Sequence, residues 1–324
     1  MIKKIYYFLL LFGNYIAKKS KVLYNYLERR IDMEKAKVYF TDFRARPGYN
    51  LLQKLERLIK TAGIQNIDFE NKYVAIKIHF GEPGNLAYLR PNYAKVVADV
   101  VKELGGKPFL TDCNTLYVGG RKNAIDHLNT AYVNGFSPFS TGCHVIIADG
   151  LKGTDEAYVN IDGEYIKTAK IGRAIMDADI VISLNHFKGH EGTGFGGAIK
   201  NIGMGCGSRA GKMEMHSSGK PHVILDKCRR CKQCIKICAH GAISYNEDGK
   251  AVIDHNKCVG CGRCIGICNF DAIKSPNDES ADILNKKMAE YALAVVKDRP
   301  QFHISLICDV SPNCDCHAEN DAPI

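Results

Sequence analysis

Eight cysteines form two matching runs in the last third of the chain, and thiolates at this spacing bind metal. The first run is Cys228-x2-Cys231-x2-Cys234-x3-Cys238, and it recurs thirty residues later as Cys258-x2-Cys261-x2-Cys264-x3-Cys268. Three cysteines at two-residue gaps followed by a fourth are typical of proteins that hold [4Fe–4S] clusters. The duplication therefore predicts two such clusters, each of which exchanges one electron at a time.

The ligands of each predicted cluster come from both runs, because in this arrangement the fourth cysteine of a run crosses to the other cluster. One cluster is expected on Cys228, Cys231, Cys234 and Cys268, and the other on Cys258, Cys261, Cys264 and Cys238. A pair of tetrahedral zinc sites is the alternative, since zinc also binds closely spaced thiolates. Ala239 and Asn269 stand where bacterial ferredoxins usually have proline, but the eight thiolates are unchanged.

A second group of reactive side chains lies upstream, where polar residues follow apolar runs. Lys77 and His79 close one run, Asp112 follows another, and a segment beginning at His186 follows a third. If the runs are parallel strands, their carboxyl ends form the ligand crevice of an open α/β sheet. Lysines and histidines beside a glycine-rich segment favour an anionic ligand such as a carboxylate or phosphate. We predict catalytic roles for Lys77, His79, Lys188, His190, Lys200, Cys206 and His216, and cofactor-binding roles for Gly194, Gly196, Gly197 and Asn201.

The remaining cysteines have less defined roles. Cys206, between two glycines, is interpreted as a nucleophile, an extra ligand or an inert side chain, whereas Cys113 and Cys143 are interpreted as small buried residues. Cys308, Cys314, Cys316 and His317 form a compact group near the end of the chain. Their donors could coordinate a metal if the preceding strand delivers them to the crevice, and loose chain-end cysteines are the alternative.

The elements that must position these residues alternate between β-branched runs and amphipathic stretches. Strands are predicted over residues 38–43, 73–80, 108–111, 144–148 and 180–184, and helices over residues 51–64, 93–104, 123–133 and 171–176. This rhythm predicts a mainly parallel sheet with helices on its faces. Asp162-Gly163 between two alternating runs predicts a hairpin with a type I′ turn. Nine glycines within residues 189–212 predict a ligand-facing loop system with a short helix around Ala198.

After the cysteine runs a helix over 281–296 and a strand over 303–310 resume the α/β pattern. The fold expected is therefore α/β, with an inserted α+β ferredoxin-like 2[4Fe–4S] module. The predicted organisation is a basic and apolar N-terminal extension over 1–32, an α/β domain over 33–221, the ferredoxin-like domain over 222–275 and a return to the α/β domain over 276–324.

Charge and composition limit the class of protein. The formal net charge is +9, but seven Lys and Arg residues lie within residues 1–32, so the body has no basic surface typical of nucleic-acid binding. Clustered cysteines indicate metal and a reducing compartment. The apolar run over 5–17 is too short to span a bilayer as a helix. Membrane attachment and a start codon placed too early are the two interpretations, and we expect a cytoplasmic protein that starts at Met33.

The upstream motifs carry a resemblance to a known family. Lys77-Ile-His79-Phe-Gly81, Asp112-Cys-Asn-Thr115, His186-Phe-Lys188-Gly-His190 and the run from Gly196 to Cys206, followed by two cluster motifs, resemble the domain of unknown function 362 family of uncharacterised Fe–S centre proteins. The resemblance covers the chain from about Lys35 onward and implies architecture and cofactor more than substrate. It also implies that members continue beyond Ile324, so that a final piece of the α/β domain is missing here.

We expect an iron–sulfur oxidoreductase that passes electrons to an anionic substrate or cofactor in the α/β crevice. One alternative is an electron carrier without catalysis of its own. Another is a nickel–pincer cofactor protein, since Gly196-Gly197, Lys200 and His216 are similar to a pattern of the lactate racemase family. Basic residues near the clusters suggest an acidic ferredoxin or flavodoxin-like partner, or else simple solvation: Arg229, Arg230, Lys232, Lys236 and Arg263.

Overall fold

The computed structural model describes residues 36–116, 119–190, 193–216, 220–238, 240–258, 262–274 and 281–318. The chain divides into two compact units, Met1–Phe40 and Thr41–Ile324, and all features below belong to the second. The predicted extension over 1–32 and the ligand Cys261 lie outside the described residues. The predicted strand over 38–43 is wrong, because residues 36–43 form neither helix nor strand.

The secondary structure of the second unit follows the predicted alternation. The strands are β1 (Tyr73–Lys77), β2 (Lys107–Asp112), β3 (His144–Ile147), β4 (Glu156–Asn160), β5 (Thr168–Gly172), β6 (Ile180–His186), β7 (Lys188–His190), β8 (Gly194–Gly196), β9 (His222–Val223), β10 (Ile243–Tyr245), β11 (Ala251–Ile253), β12 (Ile273–Lys274) and β13 (Gln301–Leu306). The helices are α1 (Leu51–Thr61), α2 (Pro91–Glu103), α3 (Ala124–Val133), α4 (Pro138–Thr141), α5 (Arg173–Asp177), α6 (Ala198–Cys206), α7 (Arg209–His216), α8 (Gln233–Ile237), α9 (Arg263–Ile267) and α10 (Ala281–Val296).

A parallel sheet forms the centre of the unit, as predicted. Within the described residues its five strands have the order β13-β6-β1-β2-β3, and every neighbouring pair is parallel. All seven residues of β6 are buried, as expected for a strand covered on both faces. The chain returns after residue 274 through α10 to β13, which pairs with β6. The polar residues that follow β1, β2, β6 and β13 therefore meet at one edge of the sheet.

The segment around Asp162-Gly163 forms a hairpin, but with a wider connection than predicted. β4 and β5 pair antiparallel, and their ladder closes at Asn160 and Thr168. Gly163 lacks the positive φ that a type I′ turn requires. Instead, the Glu290 carboxylate on α10 accepts hydrogen bonds from the backbone N–H groups of residues 164–166. A long-range contact thus fixes this connection.

The glycine-rich segment is more helical than predicted, since it forms α6 and α7 after the short β7–β8 hairpin. Its helical glycines allow other backbone to approach closely. A Cβ on Gly203 would lie 2.2 Å from the Met288 carbonyl oxygen of α10, and one on Gly211 would lie 2.4 Å from the Lys170 carbonyl oxygen. These glycines therefore serve helix packing, at a cost of about 1 kcal/mol each in helix propensity.

The described part of residues 222–274 forms a small duplicated arrangement. β9 pairs antiparallel with β12, and β10 pairs antiparallel with β11. The short helices α8 and α9 begin thirty residues apart, after Lys232 and Gly262, which both have left-handed backbone. An apolar cluster that includes Ile243 and Ile273 packs against several of the cysteines.

Candidate functional site

A cavity of ≈ 770 Å³ lies at the carboxyl ends of the central strands. Lys77, Asp112 and His186 border it where β1, β2 and β6 end. Its described lining contains five cationic side chains and two carboxylates: Lys77, Arg121, Lys188, Lys200 and Lys212, with Glu82 and Asp112. The volume of the cavity suits a small molecule or cofactor, and an anionic ligand stays a prediction.

The base of the cavity is a buried charge network. Lys77 Nζ lies 3.0 Å from Asp112 Oδ1 and donates to Asn201 Oδ1 at 2.7 Å. Arg121 is buried and bridges Glu82 at 2.7 Å and Asp112 at 3.6 Å. Burial of Asp112 opposes its ionisation, but Lys77 and its other cationic neighbours outweigh this and lower its pKa. The carboxylate is therefore ionised at neutral pH and holds two cations in place.

His79 presents one defined tautomer to the cavity. The Gly81 backbone N–H donates to His79 Nδ1 at 3.0 Å, so the ring proton is on Nε2. Burial lowers the pKa of His79 well below 6.5, and the positive charges of Arg121 and Lys188 add to this effect. His79 is therefore neutral at pH 7, with its Nε2 3.7 Å from Cys316 Sγ.

The loop after β13 forms another wall of the cavity, through Cys314 and Cys316. Asp315 is fully buried and binds His186 Nδ1 at 2.9 Å and the Lys188 ammonium group. The Gly189 N–H donates to the Ser311 carbonyl at 2.8 Å. A Cβ on Gly189 would lie 2.1 Å from the Pro312 carbonyl oxygen, so only glycine allows this approach. The segment from His186 to Gly189 therefore anchors the loop that carries Cys314 and Cys316.

Most of the predicted site residues come together. The cavity lining contains Lys77, His79, Lys188, His190, Lys200, His216, Gly196, Gly197 and Asn201. Gly194 is exposed on β8, and Cys206 is fully buried beside Cys113, whose Sγ lies 3.4 Å from the Cys206 carbonyl oxygen. Burial raises the pKa of Cys206 to about 11, which keeps its thiol protonated. The catalytic roles stay predictions.

The sequence did not predict two cations of the cavity, and it allowed two interpretations of the cysteines that line it. Arg121 follows a glycine pair with no recognisable motif, and Lys212 ends the glycine-rich segment with no spacing that marks it as a ligand. Cys314 and Cys316 do reach the crevice, as one of the two interpretations of the chain-end cysteines required. The sequence signal for them is that they lie in the loop that follows a strand of the same sheet.

The duplicated arrangement contains a second, smaller cavity. Among the described residues its lining includes four cysteines, Cys228, Cys231, Cys234 and Cys268. The Cys238 and Cys268 sulfurs occupy matching positions, since each accepts a backbone N–H four residues later at 3.3 Å, from Ala242 and Ala272. Within the described ranges, no three His, Cys, Asp or Glu side chains are arranged to hold a single metal ion.

The two halves of the duplication differ at the surface that contacts α7. Arg209 is fully buried, and its guanidinium donates to the carbonyls of Lys152 and Thr115. A Cβ on Gly262 would lie 2.8 Å from Arg209 Cγ, and one on Gly266 would lie 2.8 Å from an Arg209 Nη atom. The equivalent positions of the first half are Lys232 and Lys236, both exposed. The second half therefore packs on the α/β part, whereas the first half faces solvent.

Within the described ranges, the helices lack the combined length and apolar character that crossing a bilayer requires. The expected cytoplasmic location stays a prediction.

Comparisons with individual known proteins give matches that each cover only part of the known protein. A thylakoid-associated protein of Synechocystis sp. is 28% identical over 124 residues, which are 38% of this chain and 35% of that protein. The lactate racemase apoprotein of Thermoanaerobacterium thermosaccharolyticum aligns over 81% of this chain and 46% of its own, with a TM-score of 0.42 and 12% identity. A protein from Thermotoga maritima aligns over 81% and 51%, with a TM-score of 0.43 and 12% identity. The chain thus spans about a third of the curated relative and about half of each solved structure.

A family model matches residues 74–324, which include the central sheet, both cavities and the duplicated cysteine runs. That range is well over half of the chain. The chain therefore belongs to the family described as a domain of unknown function, DUF362.

Proposed function

We propose that the protein binds two [4Fe–4S] clusters through residues 228–268 and an anionic ligand in the α/β cavity, and that electrons pass between them. The observation that carries the proposal is the small cavity lined by Cys228, Cys231, Cys234 and Cys268. Three of these come from the first cysteine run and one from the second, as the crossed ligand pattern requires. That these four cysteines line one cavity supports a shared cluster.

The other details of the duplicated part fit the same group. The backbone N–H groups that approach the Cys238 and Cys268 sulfurs would stabilise thiolates that bind a cluster. The second cluster would be held by Cys258, Cys264 and Cys238 with Cys261, which lies outside the described residues. A bound [4Fe–4S] cluster supplies one-electron transfer.

Residues at the wall of the large cavity reach the duplicated part. Leu116 borders the large cavity and also packs in the apolar cluster that contains Cys264 and Cys268. Lys122 Nζ donates to the Cys268 carbonyl oxygen at 2.8 Å. The cluster cysteines therefore lie next to the wall of the ligand cavity, which supports electron transfer between the two.

The solvent-facing half supports docking of an acidic electron carrier. Arg229, Arg230, Lys232 and Lys236 are all exposed around the first cysteine run. Opposite charge speeds encounter between redox partners. A ferredoxin or flavodoxin-like protein has the negative surface charge that fits these basic residues. Its electrons would pass to the cluster held by the first cysteine run.

Anaerobic expression and iron analysis test the clusters. Two four-iron clusters require about eight iron atoms per chain, and we expect paramagnetic resonance signals of two clusters on reduction. Cys234→Ser should lose about half of the iron, because one ligand set is broken. Cys308→Ser, at a cysteine that borders neither cavity, is the matched control. Colourless protein that contains only zinc contradicts the proposal.

A second candidate is an anionic cofactor bound in the large cavity without electron transfer, including a nickel–pincer type. Its specific support is that Lys200 and His216 border the same cavity of ≈ 770 Å³. Burial lowers the pKa of His216 to about 4, and the nearby Lys200 charge adds to this, so the imidazole is neutral and able to bind a metal. Native mass spectrometry of protein from a cofactor-producing host tests it. Nickel and a bound small molecule that are both lost in His216→Ala would favour this candidate, and iron alone would remove it.

A further inference from the structure

We propose that Cys314 and Cys316 form a dithiol that reduces anionic disulfides inside the large cavity. Both residues border the cavity, and their sulfurs lie 2.8 Å apart. Neither belongs to the duplicated cysteine runs. The two thiols are therefore close enough to form one disulfide with each other after reaction with a ligand.

Lys200 lies closer to the Cys314 sulfur than to the Cys316 sulfur and favours the negative charge on Cys314. Its Nζ lies 2.8 Å from Cys314 Sγ and 3.6 Å from Cys316 Sγ. The hydrogen bond from the Cys316 thiol lowers the pKa of Cys314 well below 9, and Lys200 and Lys188 contribute although burial opposes them. The same hydrogen bond raises the pKa of Cys316. Cys314 is thus the thiolate, which is the nucleophilic form, and Cys316 is the neutral partner.

The turn that carries the two thiols is held rigidly. Asp315, between them in sequence, is fully buried and bound by His186 and Lys188. The cysteine side chains on either side are thereby directed to the cavity. The neutral His79, with its proton on Nε2 and 3.7 Å from Cys316 Sγ, lies where a thiolate produced by the reaction needs a hydrogen-bond donor.

The cavity defines the charge of the disulfide it admits. Its cations exceed its carboxylates, so carboxylate or phosphate groups on the substrate are favoured over neutral or cationic ones. A disulfide is the substrate class that a thiolate paired with a second thiol converts without an additional cofactor.

The reaction balances in two steps. The Cys314 thiolate attacks one substrate sulfur, which forms a mixed disulfide and releases the first substrate thiolate. Cys316 then loses its proton and attacks the Cys314 sulfur, which forms the Cys314–Cys316 disulfide and releases the second substrate thiolate. Two electrons pass from the protein to the substrate, and one proton is released. Regeneration rests on the proposed clusters, which would each return one electron to the protein disulfide.

Ellman's reagent, an aromatic disulfide with two carboxylates, tests the proposal on the full chain purified anaerobically with its iron. We expect a fast phase that releases about two thiolates per chain. Cys316→Ser should release about one and retain a mixed disulfide on Cys314, visible by mass spectrometry. Cys314→Ser should lack the fast phase, whereas Cys308→Ser, outside the cavity, should match the wild type.

Lys200→Met separates reactivity from folding. We expect the fast phase to slow about tenfold at pH 7 and its pH midpoint to rise, because the thiolate loses its counter-charge. An uncharged disulfide, bis(2-hydroxyethyl) disulfide, should react more slowly than Ellman's reagent with the wild type.

Three results overturn the proposal: an unchanged fast phase in Cys314→Ser, two thiolates released by Cys316→Ser, or both thiols protected by a metal that Cys314→Ser loses. Iron content and the visible spectrum are recorded on the same samples. Absence of clusters with a normal fast phase would contradict only the proposed function, and presence of clusters without a fast phase would contradict only the dithiol.

Discussion

The role of a charged side chain here is decided by its partner, which the sequence does not reveal. Lys188 looks like a ligand-binding cation in the sequence, yet its ammonium group pairs with Asp315 at the far end of the chain. Lys77 likewise pairs with Asp112. Such side chains border the cavity and shape its field while they hold structure together. Residue type and spacing identified these cations, but their pairing depends on the tertiary fold.

Asp315→Asn tests the anchoring role. We expect it to lower the free energy of unfolding by about 3 kcal/mol, since it leaves Lys188 and His186 without their buried carboxylate. Urea denaturation monitored by circular dichroism measures the change. Asp309→Asn, at an exposed residue of the same segment, is the control and should change little. Equal effects of the two substitutions would contradict the anchor.

His127 should make stability depend on pH. It is fully buried beside Asp112, and burial lowers its pKa from 6.5 to about 3 although Asp112 offsets part of this. The folded protein thus keeps His127 neutral while the unfolded chain protonates it below pH 6.5. The stabilisation is complete above pH 6.5 and is lost as the pH falls toward 3.

Lowering the pH from 7 to 5 should therefore remove about 2 kcal/mol from the free energy of unfolding through this residue. Urea denaturation at both pH values measures it, and His127→Leu should show a smaller difference by that amount. An identical pH dependence in the variant would show that His127 does not contribute.

At the scale of elements, the sequence predicted what hydrophobic periodicity controls. Apart from the short helix α4, which was not predicted, the strands and helices from α1 to β3 follow their predicted places with end shifts of a few residues. The return through α10 to β13 does so as well. The glycines of α6 and α7 misled the prediction, because their function is close packing against Met288 and Lys170 rather than chain reversal. The hairpin connection depends on Glu290, far along the chain. Local pattern carries no information on such distant contacts.

Gly266→Ala should destabilise the packing of α9 on α7. The added methyl would lie 2.8 Å from the guanidinium of Arg209, which is buried and held by carbonyl groups and so cannot move aside. We expect a loss of about 2 kcal/mol in the free energy of unfolding, typical of overpacking. Lys236→Ala at the equivalent position of the first half is the control and should be nearly neutral. Thermal and urea unfolding measure both, and similar stability of the two variants would contradict the asymmetry.

At the scale of the molecule, the cavity collects residues from distant parts of the chain. Lys77 and His79 end one strand, Lys200 and His216 lie on α6 and α7, and Cys316 follows β13. The carboxyl-end rule for parallel sheets predicted Lys77 and His79, because that rule concerns topology. Lys200 and His216 were predicted from the lysines and histidines of the glycine-rich segment. The thiol pair was left between two interpretations, since spacing alone does not decide whether a chain-end loop folds back.

The exposed basic half predicts salt-sensitive electron transfer. Lys232→Glu and Lys236→Glu together should slow reduction by an acidic carrier about tenfold at low ionic strength, with the difference shrinking as salt screens it. Stopped-flow reduction of the proposed clusters measures the rate. Lys297→Glu, exposed after α10, is the control. A rate that does not change with salt in the wild type would contradict docking at this surface.

The loop anchored by Asp315 also sets the order in which the protein matures. Its thiols line the same large cavity as the residues that end β1, which are translated more than two hundred residues earlier. A nascent polypeptide cannot complete the large cavity before the loop has left the ribosome. Stable ligand binding is therefore expected only after translation has passed that point. Pulse-labelled chains stalled ahead of residue 308 should accordingly fail to retain ligand that the released protein retains.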